Sequence, residues 1–253
     1  MYGDRDVDLV STLSQLTAMA IDNIRLNEKH GEAARIKTLF EQFVSSDVAR
    51  LLINQKRDLH EIGTIEDLTV VFADLRNFTS LVQSIELQKL RSFLDDFFTL
   101  TAEEAQRGGG TLNKFLGDGV LIIFGAPLHH ANPAVGAVRA AQRIHFLFKR
   151  LRDRYCRENR LFGEISLGVG IGSGDVFIGN VGSAKRFDYT VVGVPVNLAQ
   201  RLASYATGDT ILITDAVKRE SGSEIRTINT GNIMLKGFSD QVQIHEVADP
   251  PGE

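Results

Sequence analysis

The sequence predicts an α+β fold in which a sheet containing antiparallel strands is covered by helices. Two observations predict this class. The segment Leu112–Phe124 reads as two apolar strands joined by Gly117-Asp118-Gly119, which is the composition of a tight β-hairpin turn. From Leu68 onward, β-rich runs alternate with long amphipathic stretches, so hairpin connections and helical crossovers occur in the same chain.

Local patterns predict each element along the chain. Besides the hairpin, strands are predicted at Leu68–Asp74, Glu164–Ser173, Phe177–Val181, Asp188–Val192, Thr210–Thr214, Ile225–Leu235 and Val242–Val247. Helices are predicted at Glu86–Gln106, from the Asn132-Pro133 cap to about Tyr155, at Val196–Tyr205, and in a short segment capped by Asp215. Gly168, Gly170 and Gly172 alternate along one strand, which predicts that a neighbour approaches that strand face closely.

The chain divides into a helical segment over residues 1–55 and a larger domain over 56–253. Residues 6–30 place apolar side chains at alternating steps of four and three, a coiled-coil-like pattern in which Asn23 and Asn27 share the stripe. This helix either packs on its own domain or forms a parallel dimer seam whose asparagines set the register. Residues 55–66 are polar and predict a connector with a turn at Gly63-Thr64.

Composition excludes several classes of protein. A net charge of −4 provides no electrostatic footprint for nucleic acid. No apolar run approaches the roughly 20 residues that span a bilayer, so no membrane segment is expected. The single cysteine, Cys156, excludes a disulfide framework and fits a reducing compartment, so we expect a cytoplasmic location.

Two aspartates mark the ends of strands that are distant in sequence. Asp74 ends the run Val70–Ala73, and Asp118 lies at the tip of the hairpin. Taken singly, each is explained by the tolerance of aspartate for turn geometry. If the two strands are neighbours in the sheet, however, both carboxylates meet at one end of it. Such a pair suits Mg²⁺, which keeps several waters and takes further ligands from a bound phosphate.

Three motifs in order resemble the catalytic domain of class III nucleotidyl cyclases. They are F-x-D-L-x-x-F-T at residues 72–79, K-F-x-G-D-x-x-x-x-x-F at residues 114–124, and Y-T-V-V-G-V-P-V-N-L-A-Q-R at residues 189–201. The resemblance covers roughly residues 60–248 and implies a ferredoxin-like βαββαβ core with additions. It also implies that Asp74 and Asp118 hold two Mg²⁺ or Mn²⁺ ions per active site. Residues 16–26 resemble the last helix of GAF-type sensor domains, so an upstream sensor is expected.

Two residues in these motifs predict the purine. Lys114 can only donate hydrogen bonds and therefore suits adenine N1, whereas the Thr190 hydroxyl can accept from the adenine 6-amino group. Guanylyl members of the family resemble this pattern with an acidic residue and a cysteine instead. The sequence therefore predicts ATP over GTP, because a wrongly paired buried donor or acceptor costs roughly 1–3 kcal/mol.

Other motif residues are expected to contact the ribose and the phosphates. Asn197 and Arg201 are four apart and share a helix face, which without the motif is typical of a solvated surface. The resemblance implies that Asn197 orients the ribose, that Arg201 stabilises charge on the α-phosphate, and that Lys236 reaches the terminal phosphates. The backbone at Phe78 and Thr79 begins a short predicted helix and is expected to contact phosphate.

The family builds its site from two subunits, with the metal aspartates from one and Lys114, Thr190, Asn197 and Arg201 from the other. Because this chain carries both sets, the resemblance implies a homodimeric adenylyl cyclase that makes cyclic AMP and pyrophosphate from ATP. Three alternatives stay open: a guanylyl cyclase, a catalytically silent nucleotide-binding or dimerisation module, and a relative of diguanylate cyclases or polymerase palms.

Overall fold

The computed structural model describes residues 63–183 and 186–248. The expected N-terminal helices, the GAF-like stretch and the boundary at residues 55–60 lie outside the described residues. Among the described residues, no helix is both long and apolar enough to cross a membrane.

Eight strands and five α-helices are described. The strands are β1 Gly63–Arg76, β2 Gly110–Leu116, β3 Gly119–Phe124, β4 Ser166–Ser183, β5 Arg186–Val192, β6 Thr210–Thr214, β7 Thr227–Met234 and β8 Gln241–Val247. The helices are α1 Phe78–Ser84, α2 Leu87–Arg107, α3 Pro133–Glu158, α4 Val194–Tyr205 and α5 Asp215–Ser221, with a 3₁₀ turn at Arg160–Glu164.

All of the strands join one sheet, in the order β2-β3-β1-β4-β6-β8-β7, with β5 paired to β4. The pairs β2–β3, β3–β1 and β1–β4 are antiparallel, and β4–β6 is parallel. The first part of the chain therefore runs β1, α1 and α2, β2, β3, α3, β4. This is the expected ferredoxin-like βαββαβ core, with β5 to β8 as additions, and it confirms the predicted α+β class.

Three local predictions are wrong. The runs Glu164–Ser173 and Phe177–Val181 belong to one 18-residue strand, because β1 pairs with β4 continuously from Gly63 to Arg76. For the same reason, residues 63–66 are strand and not a connector turn. The side chain that caps α5 is Thr214, which accepts from the Val217 N–H, and Asp215 is the first helical residue.

The sheet has two faces with different cover. Alternate residues of β1, including Val71 and Ala73, belong to the core beneath α2 and α3, which we call the two-helix face. Val70 and Phe72 belong to a second core on the opposite side, beneath α4, which we call the single-helix face. Asp74 continues the second alternation and so projects on the single-helix face.

Helix α4 lies very close to the sheet because β4 presents glycines to it. A Cβ built on Gly170 would lie 2.1 Å from the Ala199 carbonyl oxygen, and one on Gly168 would lie 2.6 Å from that of Ala203. No side chain fits at these positions without a shift of the helix backbone. The prediction of a close neighbour on this strand face is confirmed, and the neighbour is the helix that carries Asn197 and Arg201.

Candidate active site

The structure brings Asp74 and Asp118 to the same end of two adjacent strands. Asp74 pairs directly opposite Gly119, the residue after Asp118. The Leu75 N–H donates to the Asp118 carbonyl oxygen at 3.4 Å. A Cβ on Gly119 would lie 3.0 Å from Asp74 Oδ1 and 3.2 Å from the Ala73 carbonyl oxygen. Glycine at 119 thus leaves room for the Asp74 carboxylate beside the hairpin turn.

The surroundings of Asp74 disfavour the ionised form of its carboxyl group. Burial raises the pKa of Asp74, the Arg76 guanidinium lowers it, and the nearby Asp118 carboxylate raises it again. Arg76 forms an ion pair with Asp74 and donates from Nη1 to the Ser204 carbonyl oxygen of α4 at 3.1 Å. Two converging carboxylates of this kind are a place where added positive charge is favourable.

The donor set fits Mg²⁺ better than a metal held by protein ligands alone. Among residues 63–183 and 186–248, no cluster of three or more histidine, cysteine, aspartate or glutamate side chains could hold a metal ion. A pair of carboxylates is the protein share expected for Mg²⁺, whose other ligands are waters and substrate phosphates. Asp74 and Asp118 are therefore the side chains that could hold the implied ions.

A β-bulge in β2 decides where Lys114 points. Leu112 pairs with Ile122 on the two-helix face, whereas Lys114 pairs with Leu121 on the single-helix face, so Asn113 is an extra residue between them. In an unbroken strand, residues two apart share a face. The bulge breaks this rule and transfers Lys114 to the side of the sheet on which Asp74 projects.

Lys114 and Thr190, the predicted purine contacts, are linked through neighbouring residues of β2 and β5. Lys114 Nζ is 3.8 Å from Asp188 Oδ2, two residues before Thr190 on β5. Asn113 donates from Nδ2 to the Tyr189 carbonyl oxygen at 3.1 Å, and its Oδ1 is 3.5 Å from the Thr190 hydroxyl. Two consecutive residues of β2 thus contact three consecutive residues of β5.

The remaining predicted residues are on separate elements. Asn197 and Arg201 lie one turn apart on α4, with Asn197 exposed and Arg201 half-buried. Lys236 is exposed in the turn after β7, and Phe78 and Thr79 begin the seven-residue α1. Within the described part of this chain, no hydrogen bond or ion pair joins Lys114 or Arg201 to Asp74 or Asp118.

Sequence reasoning missed three residues that shape the site: Arg76, Asn113 and Gly119. Gly119 stood in the quoted turn, but its close approach to Asp74 depends on the β1–β3 register. Asn113 directly precedes Lys114, the first residue of the second motif, yet no local signal marks the bulge. Arg76 lies inside the first motif, and its partner Ser204 is 128 residues away.

Comparison with known proteins identifies the family of this chain. A family model described as the adenylate and guanylate cyclase catalytic domain matches residues 60–248. An uncharacterized protein of Mycobacterium tuberculosis is 32% identical over 226 residues, which are 87% of this chain and 38% of that protein. An uncharacterized protein of Mycobacterium bovis is 36% identical over 175 residues, 69% of this chain and 30% of its own length. The chain thus spans well under half of these curated relatives.

Two solved structures are similar to about three quarters of this chain. The adenylyl cyclase CyaB from P. aeruginosa is 34% identical with a TM-score of 0.69, covering 74% of this chain and 96% of that chain. The guanylyl cyclase Cya2 is 32% identical with a TM-score of 0.68, covering 74% and 94%. Since the family model matches far more than half of the sequence, the chain belongs to the adenylate and guanylate cyclase catalytic domain family.

Proposed function

We propose that this protein is an adenylyl cyclase that converts ATP to 3′,5′-cyclic AMP and pyrophosphate. The observation that carries the proposal is the convergence of Asp74 and Asp118 at one end of adjacent strands, on a family-matched domain. The similar structures include both an adenylyl and a guanylyl cyclase, so overall similarity does not select the purine. That choice depends on the residues that face the base.

The carboxylates of Asp74 and Asp118 are proposed to hold two Mg²⁺ or Mn²⁺ ions. When bound, such a pair of ions activates the attacking 3′-hydroxyl and neutralises charge on the departing pyrophosphate. The chain contributes rigidity, because Asp74 lies on a strand that is paired on both sides and is held by Arg76. Preorganised charge of this kind is worth more than charge that must reorient during the reaction.

Lys114 and Thr190 are proposed to select adenine. The Lys114 ammonium donates to N1, and the Thr190 hydroxyl accepts from the 6-amino group. Their proximity through Asp188 and Asn113 supports a common ligand for the two side chains. Guanine presents a donor at N1 and an acceptor at O6, so both contacts would be mismatched.

Asn197, Arg201, Lys236 and the backbone at Phe78 and Thr79 complete the proposed site. Asn197 orients the ribose, and Arg201 stabilises charge on the α-phosphate during attack. Lys236, which lies in an exposed turn, is proposed to contact the terminal phosphates together with the start of α1. These roles rest on the family motifs.

The active unit is proposed to be a homodimer in the cytoplasm, controlled by an upstream sensor. Among the described residues, no hydrogen bond or ion pair joins Lys114 or Arg201 to Asp74 or Asp118, as expected if they act on the partner's aspartates. Two equivalent sites then form across a two-fold axis. The curated relatives are longer than this chain, which leaves room for a sensor in the whole protein.

Product identification tests the activity directly. The purified chain is incubated with ATP or GTP, in Mg²⁺ or Mn²⁺, and the products are separated by chromatography and mass. Cyclic AMP as the main product supports the proposal. Cyclic GMP as the main product identifies a guanylyl cyclase. A cyclic dinucleotide identifies the diguanylate class, and nucleotide binding without turnover identifies a silent module.

Mixing two inactive variants tests the shared site. Asp74→Ala and Arg201→Ala should each lower the rate by roughly 10²–10⁴-fold, because each removes several kcal/mol of charge stabilisation. Mixed chains should recover about a quarter of wild-type activity, since half of the dimers then hold one intact site of two. Asp95→Ala, an exposed aspartate on α2, is the matched control and should leave activity unchanged. No recovery on mixing would contradict the shared site.

A further inference from the structure

We propose that Asn113 is a positioning residue for purine selection, acting through the Thr190 hydroxyl. This inference rests on the proposed adenylyl cyclase function and deepens it. Asn113 does not itself contact the base in this proposal. It sets the direction of the hydroxyl proton, and thereby decides whether Thr190 offers an acceptor or a donor to position 6 of the purine.

The bulge in β2 is what makes the contact possible. As the extra residue between Leu112 and Lys114, Asn113 has no register partner on β3. Its side chain reaches β5 instead, where Nδ2 donates to the Tyr189 carbonyl oxygen at 3.1 Å. The bulge therefore gives β2 two consecutive side chains, Asn113 and Lys114, that both contact β5.

The contact with Tyr189 determines which way the amide of Asn113 faces. An amide has one donating end and one accepting end. Rotation by 180° would place Oδ1 against the Tyr189 carbonyl oxygen, bringing two acceptors together in a partly buried site. Oδ1 is therefore held toward Thr190, at 3.5 Å from its hydroxyl oxygen.

An acceptor beside Thr190 constrains what the hydroxyl can offer to a ligand. The hydroxyl has one proton and two lone pairs. When the proton points at Asn113 Oδ1, only lone pairs remain for the base, which suits the 6-amino group of adenine. To donate to guanine O6, the hydroxyl must turn its proton away from Asn113 and leave that oxygen facing another oxygen. The amide of Asn113 thereby penalises guanine without touching it.

The test measures kcat/KM with ATP and with GTP for the full chain and its variants. Asn113→Leu is similar in size but offers no acceptor, so the Thr190 hydroxyl is free to donate. We expect the ATP-to-GTP preference to fall about 10-fold. Asn113→Asp keeps an oxygen acceptor for the hydroxyl but loses the hydrogen bond to the Tyr189 carbonyl oxygen, so its preference should fall between those of wild type and Asn113→Leu. Asn113→Ala replaces the leucine variant if the latter fails to fold.

A substrate lacking the 6-amino group separates positioning from general damage. Purine riboside triphosphate keeps N1 but has only hydrogen at position 6, so it makes no contact with Thr190. Asn113→Leu should therefore change kcat/KM for this analogue by less than about 2-fold while lowering it for ATP. A purely structural defect would lower both alike.

A double variant tests whether the effect passes through Thr190. If it does, Asn113→Leu combined with Thr190→Val should have the same purine preference as Thr190→Val alone. The inference is overturned if Asn113→Leu lowers kcat/KM equally for ATP, GTP and the purine analogue. It is also overturned if the effect of Asn113→Leu on purine preference adds fully to that of Thr190→Val. A wild-type chain that makes no cyclic AMP from ATP overturns instead the proposed function on which the inference rests.

Discussion

The two faces of the sheet are built from different kinds of residue. The two-helix face is filled by large apolar side chains that are almost fully buried, including Phe93, Phe97, Phe124, Phe148 and Phe162. The single-helix face instead has glycines beneath α4, and it is the face on which Asp74 and Lys114 project. The first face is packed by side chains, whereas on the second a helix backbone approaches the sheet directly.

The two-helix face mainly stabilises the fold, whereas the single-helix face positions the candidate site residues. Aromatic packing on the two-helix face buries apolar area, which is the main favourable contribution to folding. The single-helix face gives up such packing at Gly168 and Gly170, and in exchange α4 is held at a short, fixed distance from the strands. Substitutions on the first face should change stability without changing the catalytic properties of the folded chain, and substitutions on the second should change both.

The largest expected effect on stability is on the two-helix face. Phe93 is fully buried, with ring centroids 5.2 Å from Tyr155 and 5.1 Å from Phe162. Phe93→Ala should lower the free energy of unfolding by about 3–5 kcal/mol, measured in urea, because it leaves a cavity. Purine preference of the folded fraction should not change. Phe146→Ala, 51% exposed on α3, is the control and should cost under about 1 kcal/mol. Equal losses for the two would contradict the comparison.

An intermediate effect is expected where α4 meets β4. Gly170→Ala places a Cβ 2.1 Å from the Ala199 carbonyl oxygen, so α4 must move outward. We expect a loss of about 1–3 kcal/mol in the free energy of unfolding. Cyclase activity should also fall, because Asn197 and Arg201 move with the helix. Gly163→Ala is the matched control, since its Cβ would meet only Cys156 Sγ at 3.1 Å. A Gly170→Ala chain with unchanged activity would show that the position of α4 is not critical.

The smallest effect concerns a carboxylate at the edge of the two-helix face. Burial raises the pKa of Glu220 above its usual 4.5 and Asp67 adds to this, while a hydrogen bond from Ser173 and the charge of Arg219 oppose it. The folded chain therefore holds this proton more tightly than the unfolded chain. The contribution of the Glu220 carboxyl group to the free energy of unfolding therefore falls as pH rises from 4.5 through the raised pKa.

Removing that charge should stabilise the protein slightly at neutral pH. Glu220→Gln keeps an acceptor for the Ser173 hydroxyl but cannot ionise. The variant should gain less than about 1 kcal/mol at pH 7, because the side chain is partly exposed, and the gain should shrink as pH falls toward 4.5. Thermal unfolding at several pH values measures it. A gain that is the same at every pH would assign the effect to packing instead of ionisation.

Much of the fold and of the aspartate pair could be predicted because the signals are local. The Gly117-Asp118-Gly119 turn specifies its own hairpin, and the Asn132-Pro133 cap begins α3 as expected. The alternating glycines of β4 predicted a close neighbour, and the structure shows that this neighbour is α4. Strand ends were less predictable. In the sequence, Gly174 is typical of the end of a strand. In the structure it has a φ of +136° and lies inside the continuous strand β4.

By itself, the sequence determined most of the order of elements, the two aspartates as metal-ligand candidates and the family motifs, because turn chemistry, helix caps and residue types act over a few neighbouring positions. Only the tertiary structure decided that β2 has a bulge at Asn113, that Lys114 shares a face with Asp74, and that Gly119 admits the Asp74 carboxylate. These features depend on cross-strand register. Register is chosen by the summed packing of both faces of the sheet, and no short stretch of sequence contains that sum.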